Sequence, residues 1–329
     1  MRVVVALGGN ALLKRGDKPD ADIQLTNVRR AVAALAPLAR EHELVVTHGN
    51  GPQVGVLALQ SAADPALTHP YPFDVLGAET QGMIGYWLLQ SLQNVLPDRQ
   101  VCALINQTLV SVADPAFAEP TKFVGQSYDE PTARRLAAGR GWTVRQDGAY
   151  WRRVVPSPRP QRIVETRLIR QLLSHGAVAV CAGGGGVPVI RDENGLLRGV
   201  EAVVDKDLTA ALLAESLEAD ALLLLTDVPR VVRGFGTPDA TPLTHTTPAA
   251  LRAESFPAGS MGPKVEAVCR FVELTGDMAA IGALDQAADI LAGTAGTLVT
   301  PSGRYPHTGA CPPPATGPGA APALEGSPS

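Results

Sequence analysis

Short runs of aliphatic residues recur along this chain and limit what it can become: RVVVAL (2–7), ELVVTHG (43–49), QVCALI (100–105), AVAVCAGGG (177–185) and DALLLLTDV (220–228). Each is apolar almost throughout rather than at alternate positions. Both faces of such a strand must be covered, which is the pattern of a mostly parallel sheet packed between helices. Between the runs, IQLTNVRRAVAALAPLAREH (23–42) and VETRLIRQLLSHG (164–176) carry apolar residues at helical spacing, and the second closes on Gly176, where a C′ glycine would sit. The fold class is therefore α/β, and 329 residues are enough for one large core or two ordinary ones.

From 113 to 162 the pattern changes to frequent prolines, clustered arginines and two tryptophans. This predicts a small protruding subdomain inserted into a sheet domain that spans 1–300. From 301 to 329 the chain is rich in Pro, Gly, Ala and Ser without periodicity. Such a segment buries too little apolar surface to offset the entropy of ordering, so a disordered tail is expected.

A formal net charge of −4 provides no broad basic field, which argues against nucleic acid or an anionic membrane as the main partner. Any anion must be bound locally. Cys102, Cys181, Cys269 and Cys311 form no CxxC pair, which argues against a zinc knuckle or a disulfide framework and points to a reducing cytoplasm. The opening MRVVVALGG is too short for a signal sequence, and no stretch approaches the roughly 20 apolar residues of a membrane span, so a soluble, unprocessed protein is expected.

Two of the strand-like runs end in glycine. Gly8 and Gly9 follow the first, in LGGNALL (7–13). Gly49, Asn50 and Gly51 follow the second, in HGNGPQVG (48–55), and lead into a helix that tolerates Pro52 in its first turn. A glycine turn after a strand is by itself only a turn. Two of them in one sheet offer two clusters of backbone amides where α/β sheets bind ligands. A third cluster, AGGGGVPV (182–189), has neither dinucleotide nor P-loop spacing, and reads equally as close approach to an unspecified ligand or as a flexible connection into a hairpin.

Lysine occurs only at positions 14, 18, 122, 206 and 264, whereas arginine supplies the other 23 of the 28 basic residues. Arginine is a rigid planar fork; lysine is a compact charge on a flexible stem that can follow a moving group. Phosphoryl transfer calls for such a charge, because the protein mainly positions the groups and neutralises oxygens. Lys206 stands between Asp205 and Asp207 at the start of a helical stretch, and Lys264 lies in GSMGPKVEAV (259–268), a glycine turn opening another. An aspartate holding two lysines toward one phosphate would account for the DKD sequence. His48, beside Gly49, is tempting as a general base, yet local packing or hydrogen bonding is the expectation. Tyr86 and Trp87 are expected in the core or on a dimer face.

The segments VVALGGNALL, VVTHGNGPQVG, AETQGMIGYWL, PTKFVGQSY, WRRVVPSPRP, CAGGGGVPV, GVEAVVDKDLTAALLA and PAGSMGPKVEA, in this order, resemble those of the carbamate kinases, a branch of the amino acid kinase family, over about residues 1–300. The resemblance implies a three-layer αβα sandwich and a homodimer. It further implies reversible phosphoryl transfer between carbamoyl phosphate and ADP, giving ATP and carbamate (ammonia plus CO2) in arginine deiminase-type catabolism, with Mg2+ accompanying ATP or ADP. Residue by residue, it implies that Gly8, Gly9, Asn10, Gly49, Asn50 and Gly51 hold the carbamate and the transferred phosphate. Lys206 and Lys264 would flank the phosphoryl group, with Asp207 orienting them. Lys122, on the protruding subdomain, would reach over the substrate; Asp227, Met261 and Gly262 would lie on the nucleotide side; no side chain is expected as a metal ligand. Pro229 and Arg230 depart from the family pattern beside Asp227. Other kinases of the fold are disfavoured by the inserted PTK and VVPSP segments. A regulator without catalysis would be expected to have lost one of Lys206, Asp207 or Lys264, and a dinucleotide oxidoreductase lacks its fingerprint.

Overall fold

A computed structural model of the chain describes residues 1–13, 16–256 and 260–303, with Asn10 described by its backbone alone. The last 26 residues, most of the segment expected as a tail, lie outside the described residues.

Eight strands form the main sheet: β1 (Arg2–Leu7), β2 (Glu43–His48), β3 (Val101–Ala103), β4 (Val178–Val180), β5 (Ala221–Thr226), β6 (His245–Thr246), β7 (Met278–Ala283) and β8 (Thr297–Val299). Their order is β6-β8-β7-β5-β1-β2-β4-β3, parallel except where β7 meets β8. The apolar runs are apolar because alternate residues serve two different cores. Val4, Ala6, Val45, Ala179, Leu222 and Leu224 face one; Val3, Val5, Leu44, Val46, Leu223 and Leu225 face the other.

The helices around this sheet are α1 (Gly9–Leu12), α2 (Ala21–Glu41), α3 (Gly51–Ala63), α4 (Phe73–Val95), α5 (Thr166–Ser174), α6 (Lys206–Ser216), α7 (Met261–Thr275) and α8 (Ala287–Leu291), with a short helical stretch at Pro248–Arg252 packed beside α7. On one side lie α2, α4 and α8; on the other lie α5, α6 and α7. The result is a three-layer αβα sandwich. In α2 the buried residues Val28, Ala31, Val32, Leu35 and Ala39 make the inward stripe, while Pro37 sits on the exposed side, and the helix runs on to Glu41. Gly176, two residues beyond α5, takes φ +77, the left-handed conformation for which a C′ glycine is suited.

Two smaller sheets sit beside this sandwich. One is four-stranded, with Leu197–Gly199, Val187–Arg191, Gln107–Val110 and Pro160–Ile163 as successive neighbours. The other is an antiparallel sheet of Lys122–Tyr128, Tyr150–Val155 and Thr143–Asp147, carrying a helix over Glu130–Arg140. This second sheet falls inside the 113–162 stretch, whose last residues return to the four-stranded sheet. It rests on α3 and the start of α4 through Val54, Phe73, Leu76, Val124 and Val155. A Cβ on Gly55 would come within 2.9 Å of the Gly125 backbone, so only glycine there allows the two segments to approach so closely. Tyr86 is 55% exposed on α4, its hydroxyl accepting from the Gln90 amide, whereas Trp87 packs against the core. Tyr86 therefore does not belong to the core; a bulky phenol carrying a polar tip is readily left at the surface.

Candidate active site

The register of the main sheet brings three strand ends level. Leu7 lies opposite both His48 on β2 and Leu225 on β5. Pairing continues one step further, with Gly8 N donating to Leu225 O at 2.9 Å and Gly49 N to Leu7 O at 2.9 Å. The two glycine-rich ends therefore meet at the carboxyl edge of the central strands, beside β1, from which the chain builds outward in both directions. This is the place where open α/β sheets bind ligands. The approach is close: a Cβ on Gly49 would fall 2.9 Å from Gly9 N and 3.3 Å from the Lys206 side chain, and one on Gly8 3.2 Å from Leu225 O. A Cβ on Gly51, by contrast, would meet nothing within 4 Å.

Against this edge the first turns of α6 and α7 bring two lysines onto one carboxylate. Lys206 Nζ donates to Asp207 Oδ1 at 2.5 Å and Lys264 Nζ to Asp207 Oδ2 at 3.1 Å, from positions 57 residues apart in sequence. All three side chains are largely buried. Burial lowers the Lys206 pKa, the Asp207 charge opposes that, and the neighbouring Lys264 lowers it further. Two ammonium groups and one carboxylate leave one net positive charge in a partly desolvated pocket, where an anion would be held firmly.

A second layer sets the glycine ends in place. His48 is buried, with Nδ1 3.1 Å from the Gly49 carbonyl oxygen, so Nδ1 carries the proton. Burial, offset in part by that hydrogen bond and reinforced by Lys206, lowers the His48 pKa to about 4, so the ring is neutral at pH 7. The unfolded chain takes up a proton here near pH 6.5, whereas the folded one does so only near pH 4. Stability should therefore fall as pH drops through that window, approaching about 1.4 kcal/mol per pH unit in its middle. Denaturant titrations of the parent and of His48→Gln check this: the variant should lose that slope.

Asn50 donates from Nδ2 to Thr80 Oγ1 at 2.8 Å and packs against Gly184 of the third glycine cluster. Within that cluster Ala182, Gly184, Gly185 and Gly186 all have positive φ. Cβ atoms on Gly183, Gly184 and Gly186 would lie 2.2 Å from His48, 2.2 Å from Asn50 and 2.1 Å from Thr108. These glycines serve internal packing behind the site. The cluster does lead into a hairpin, Val187–Arg191 pairing antiparallel with Leu197–Gly199, but these contacts hold it as a packed connection rather than a flexible one.

The remaining residues singled out from the sequence are distributed as follows. Lys122 reaches from the three-stranded sheet to Asp205, not Asp207, with Nζ to Oδ2 at 2.7 Å. Met261 and Gly262 form the opening turn of α7, three and two positions before Lys264. Asp227 is exposed just past β5, where it accepts from Thr226 Oγ1 at 3.0 Å. With Thr226, Pro229, Ala11, Asn27 and Arg30 it borders a cleft of about 580 Å³ on the α2 side of the sheet. The Asn10 side chain lies outside the described residues. Sequence reasoning missed the supporting role of Asp205, which caps α6 with Oδ1 accepting from Asp207 N at 2.9 Å and Leu208 N at 3.3 Å. An aspartate just before a helical run is an N-cap signal and could have revealed the cap. Thr80, Asn106 and Thr108, buried behind the loop, carried no local signal.

The model of the amino acid kinase family matches residues 1–281. The chain is 53% identical to the carbamate kinase of Rhizobium meliloti, covering 92% of this chain and 94% of that one. It is 48% identical to that of Pyrococcus horikoshii, covering 91% of this chain and 99% of that one. Among solved structures, the carbamate kinase of Giardia lamblia bound to AMP-PNP superposes with a TM-score of 0.83 at 40% identity, over 91% of this chain and 98% of the other. With glycine-lined strand ends and a two-lysine, one-aspartate centre on this fold, the chain belongs to the amino acid kinase family, among its carbamate kinases.

Proposed function

We propose that this chain transfers a phosphoryl group reversibly between carbamoyl phosphate and ADP, giving ATP and carbamate. The observation that carries the assignment of the centre is the sharing of Asp207 by Lys206 and Lys264, with the Lys206 stem against Gly49, which itself abuts Gly9. In phosphoryl transfer the attacking and leaving oxygens lie roughly in line and the charge resides on the oxygens between and around them. Two flexible ammonium groups held by one carboxylate neutralise that charge from two sides and can follow the phosphorus as it moves. The glycine amides bind the carbamate end without side chains in the way. The carbamate oxygen needs no base, which fits a neutral, buried His48.

Magnesium accompanies the nucleotide. Among the described residues no three His, Cys, Asp or Glu side chains converge as a metal cluster. An ion held by the nucleotide's own phosphates would need no such cluster, and it would supply screening of phosphate charge. Asp227, Met261 and Gly262 belong to the nucleotide side in this reading, and Asn50 and Gly51 to the substrate loop. No described helix is long and apolar enough to cross a membrane. The homodimer and the cytoplasmic setting expected from the sequence belong to the same proposal.

In this reading the three-stranded sheet is a lid whose Lys122 acts from above the substrate. Closure would exclude water and add a positive charge near the transferred group. The test is coupled ATP formation from ADP, magnesium and carbamoyl phosphate, with acetyl phosphate as the competing donor, on the parent and Lys122→Ala. The parent should turn over carbamoyl phosphate in preference and only with magnesium. Lys122→Ala should lose about tenfold or more in turnover while ADP affinity stays within a factor of about two. Equal loss of ADP affinity would remove the lid role, and no turnover by the parent would overturn the assignment.

A further inference from the structure

We infer that Asp205 is a positioning residue for the transfer, one carboxylate that ties Lys122 of the lid to the amino end of the helix carrying Lys206 and Asp207. This rests on the proposed lid role of Lys122. The segment that leads into α6 runs along the lid and is gripped at alternate residues. Glu201 accepts from Arg153 at 2.9 Å, Val203 N donates to Pro156 O at 3.0 Å, and Asp205 accepts from Lys122 at 2.7 Å. Arg153 is itself seated between the rings of Phe73 and Trp142, and the other Glu201 oxygen accepts from Phe73 N at 2.7 Å. The lid is thus fastened at both ends of its sheet, through Lys122 where the chain enters and Arg153 and Pro156 where it leaves, to the five residues that precede the helix.

The last of these fastenings differs from the others. Asp205 is only 8% exposed and divides its two oxygens between two tasks. Oδ2 holds the lid ammonium, while Oδ1 accepts from the amides of Asp207 and Leu208 and so fixes the first turn of α6. Burial would raise its pKa, but the Lys122 ammonium overrides this and holds it at about 2, so the group is an anion at every working pH. A shift of the lid relative to the sandwich must either break the Lys122 pair in a poorly solvated place or carry the Asp205 carboxylate, and the Lys206–Asp207 turn, with it. The same carboxylate therefore sets the distance between the lid lysine and the two-lysine centre.

Asparagine separates the two tasks, since it caps a helix as well as aspartate does yet carries no charge for Lys122. Asp205→Asn, Lys122→Met and the double variant are compared in ATP formation and in thermal melting. Asp205→Asn should melt within a few degrees of the parent and lose about tenfold in kcat with little change in KM for ADP, the scale of one close charge pair. The double variant should be no slower than the slower single variant, because both changes break the same link. Asp205→Asn turning over like the parent while Lys122→Met is slow would make Asp205 a helix cap alone and overturn the inference, leaving the lid reading intact. Losses that multiply in the double variant would overturn it as well. Lys122→Met turning over like the parent would instead remove the lid reading itself, and this inference with it.

Discussion

Replacing Lys206 or Lys264 by alanine is expected to slow transfer roughly a hundredfold or more in each case, about 3 kcal/mol of transition-state stabilisation, while the fold survives. The size follows from the setting. Both ammonium groups are largely removed from water and both are bonded to Asp207, so the charge they present to a phosphoryl group is weakly screened. The fold survives because each lysine contributes little to the cores, and because losing a buried cation removes a desolvation cost along with an attraction. Asp207→Ala should be at least as slow. It leaves two ammonium groups facing one another with no carboxylate between them, so that they repel and part.

Lys206→Arg separates a positioned charge from a general one. The Lys206 stem runs 3.3 Å from where a Gly49 Cβ would be, and its end closes on Asp207 at 2.5 Å. A guanidinium is longer, planar and unable to shed its charge, so it cannot occupy the same space against the Gly9–Gly49 backbone. Most activity should be lost. The Lys206→Ala, Asp207→Ala double variant should be much less impaired than the product of the singles, since the two act on one phosphate through one contact. Steady-state kinetics decide, with circular dichroism to verify folding. A fully active Lys206→Arg enzyme would make that lysine a bystander and relocate the chemistry.

How far the chain could be read without coordinates depended on the reach of each interaction. The parallel sheet was legible because burial on both faces writes itself into every residue of a strand, as Val3, Val4 and Val5 of β1 show by facing opposite cores in alternation. The lysines stood out because the chain otherwise uses arginine, and for Lys206 the neighbours Asp205 and Asp207 were adjacent in sequence. The partners of the lid were invisible, because the Lys122–Asp205 bond spans 83 positions and nothing local to either residue announces it. The 182–186 cluster was only half legible for a related reason. Glycine records that something comes close, not what, and the close protein neighbours His48, Asn50, Val204 and Thr108 lie far away in sequence or carry no local signal.

Gly185→Ala tests that last point and should be among the most damaging single changes outside the lysine centre. Its backbone has φ +91, which an L-residue adopts at a cost of about 1–2 kcal/mol. Strain is the smaller part. A Cβ would lie 2.5 Å from the Val204 carbonyl oxygen and 2.9 Å from its carbonyl carbon, main-chain atoms that cannot rotate aside as a side chain would. The loop cannot easily turn away either, because Gly185 O accepts from Thr108 Oγ1 at 2.8 Å and Thr209 Oγ1 at 3.1 Å, both buried hydroxyls. The remaining relief is to push Val204, and Val204 directly precedes the Asp205 cap that seats Lys206 and Asp207. Destabilisation of about 3–5 kcal/mol is expected, lowering the melting temperature by roughly 5–8 °C, together with loss of turnover in whatever remains folded. Gly195→Ala is the control. It shares the left-handed backbone, at φ +78, but a Cβ there meets nothing within 4 Å, so it should cost only the strain, about 1 kcal/mol. Calorimetry on the two variants separates strain from collision. If Gly185→Ala melts with Gly195→Ala, the segment before α6 yields cheaply, and the glycine cluster is not what holds the first turn of that helix in place.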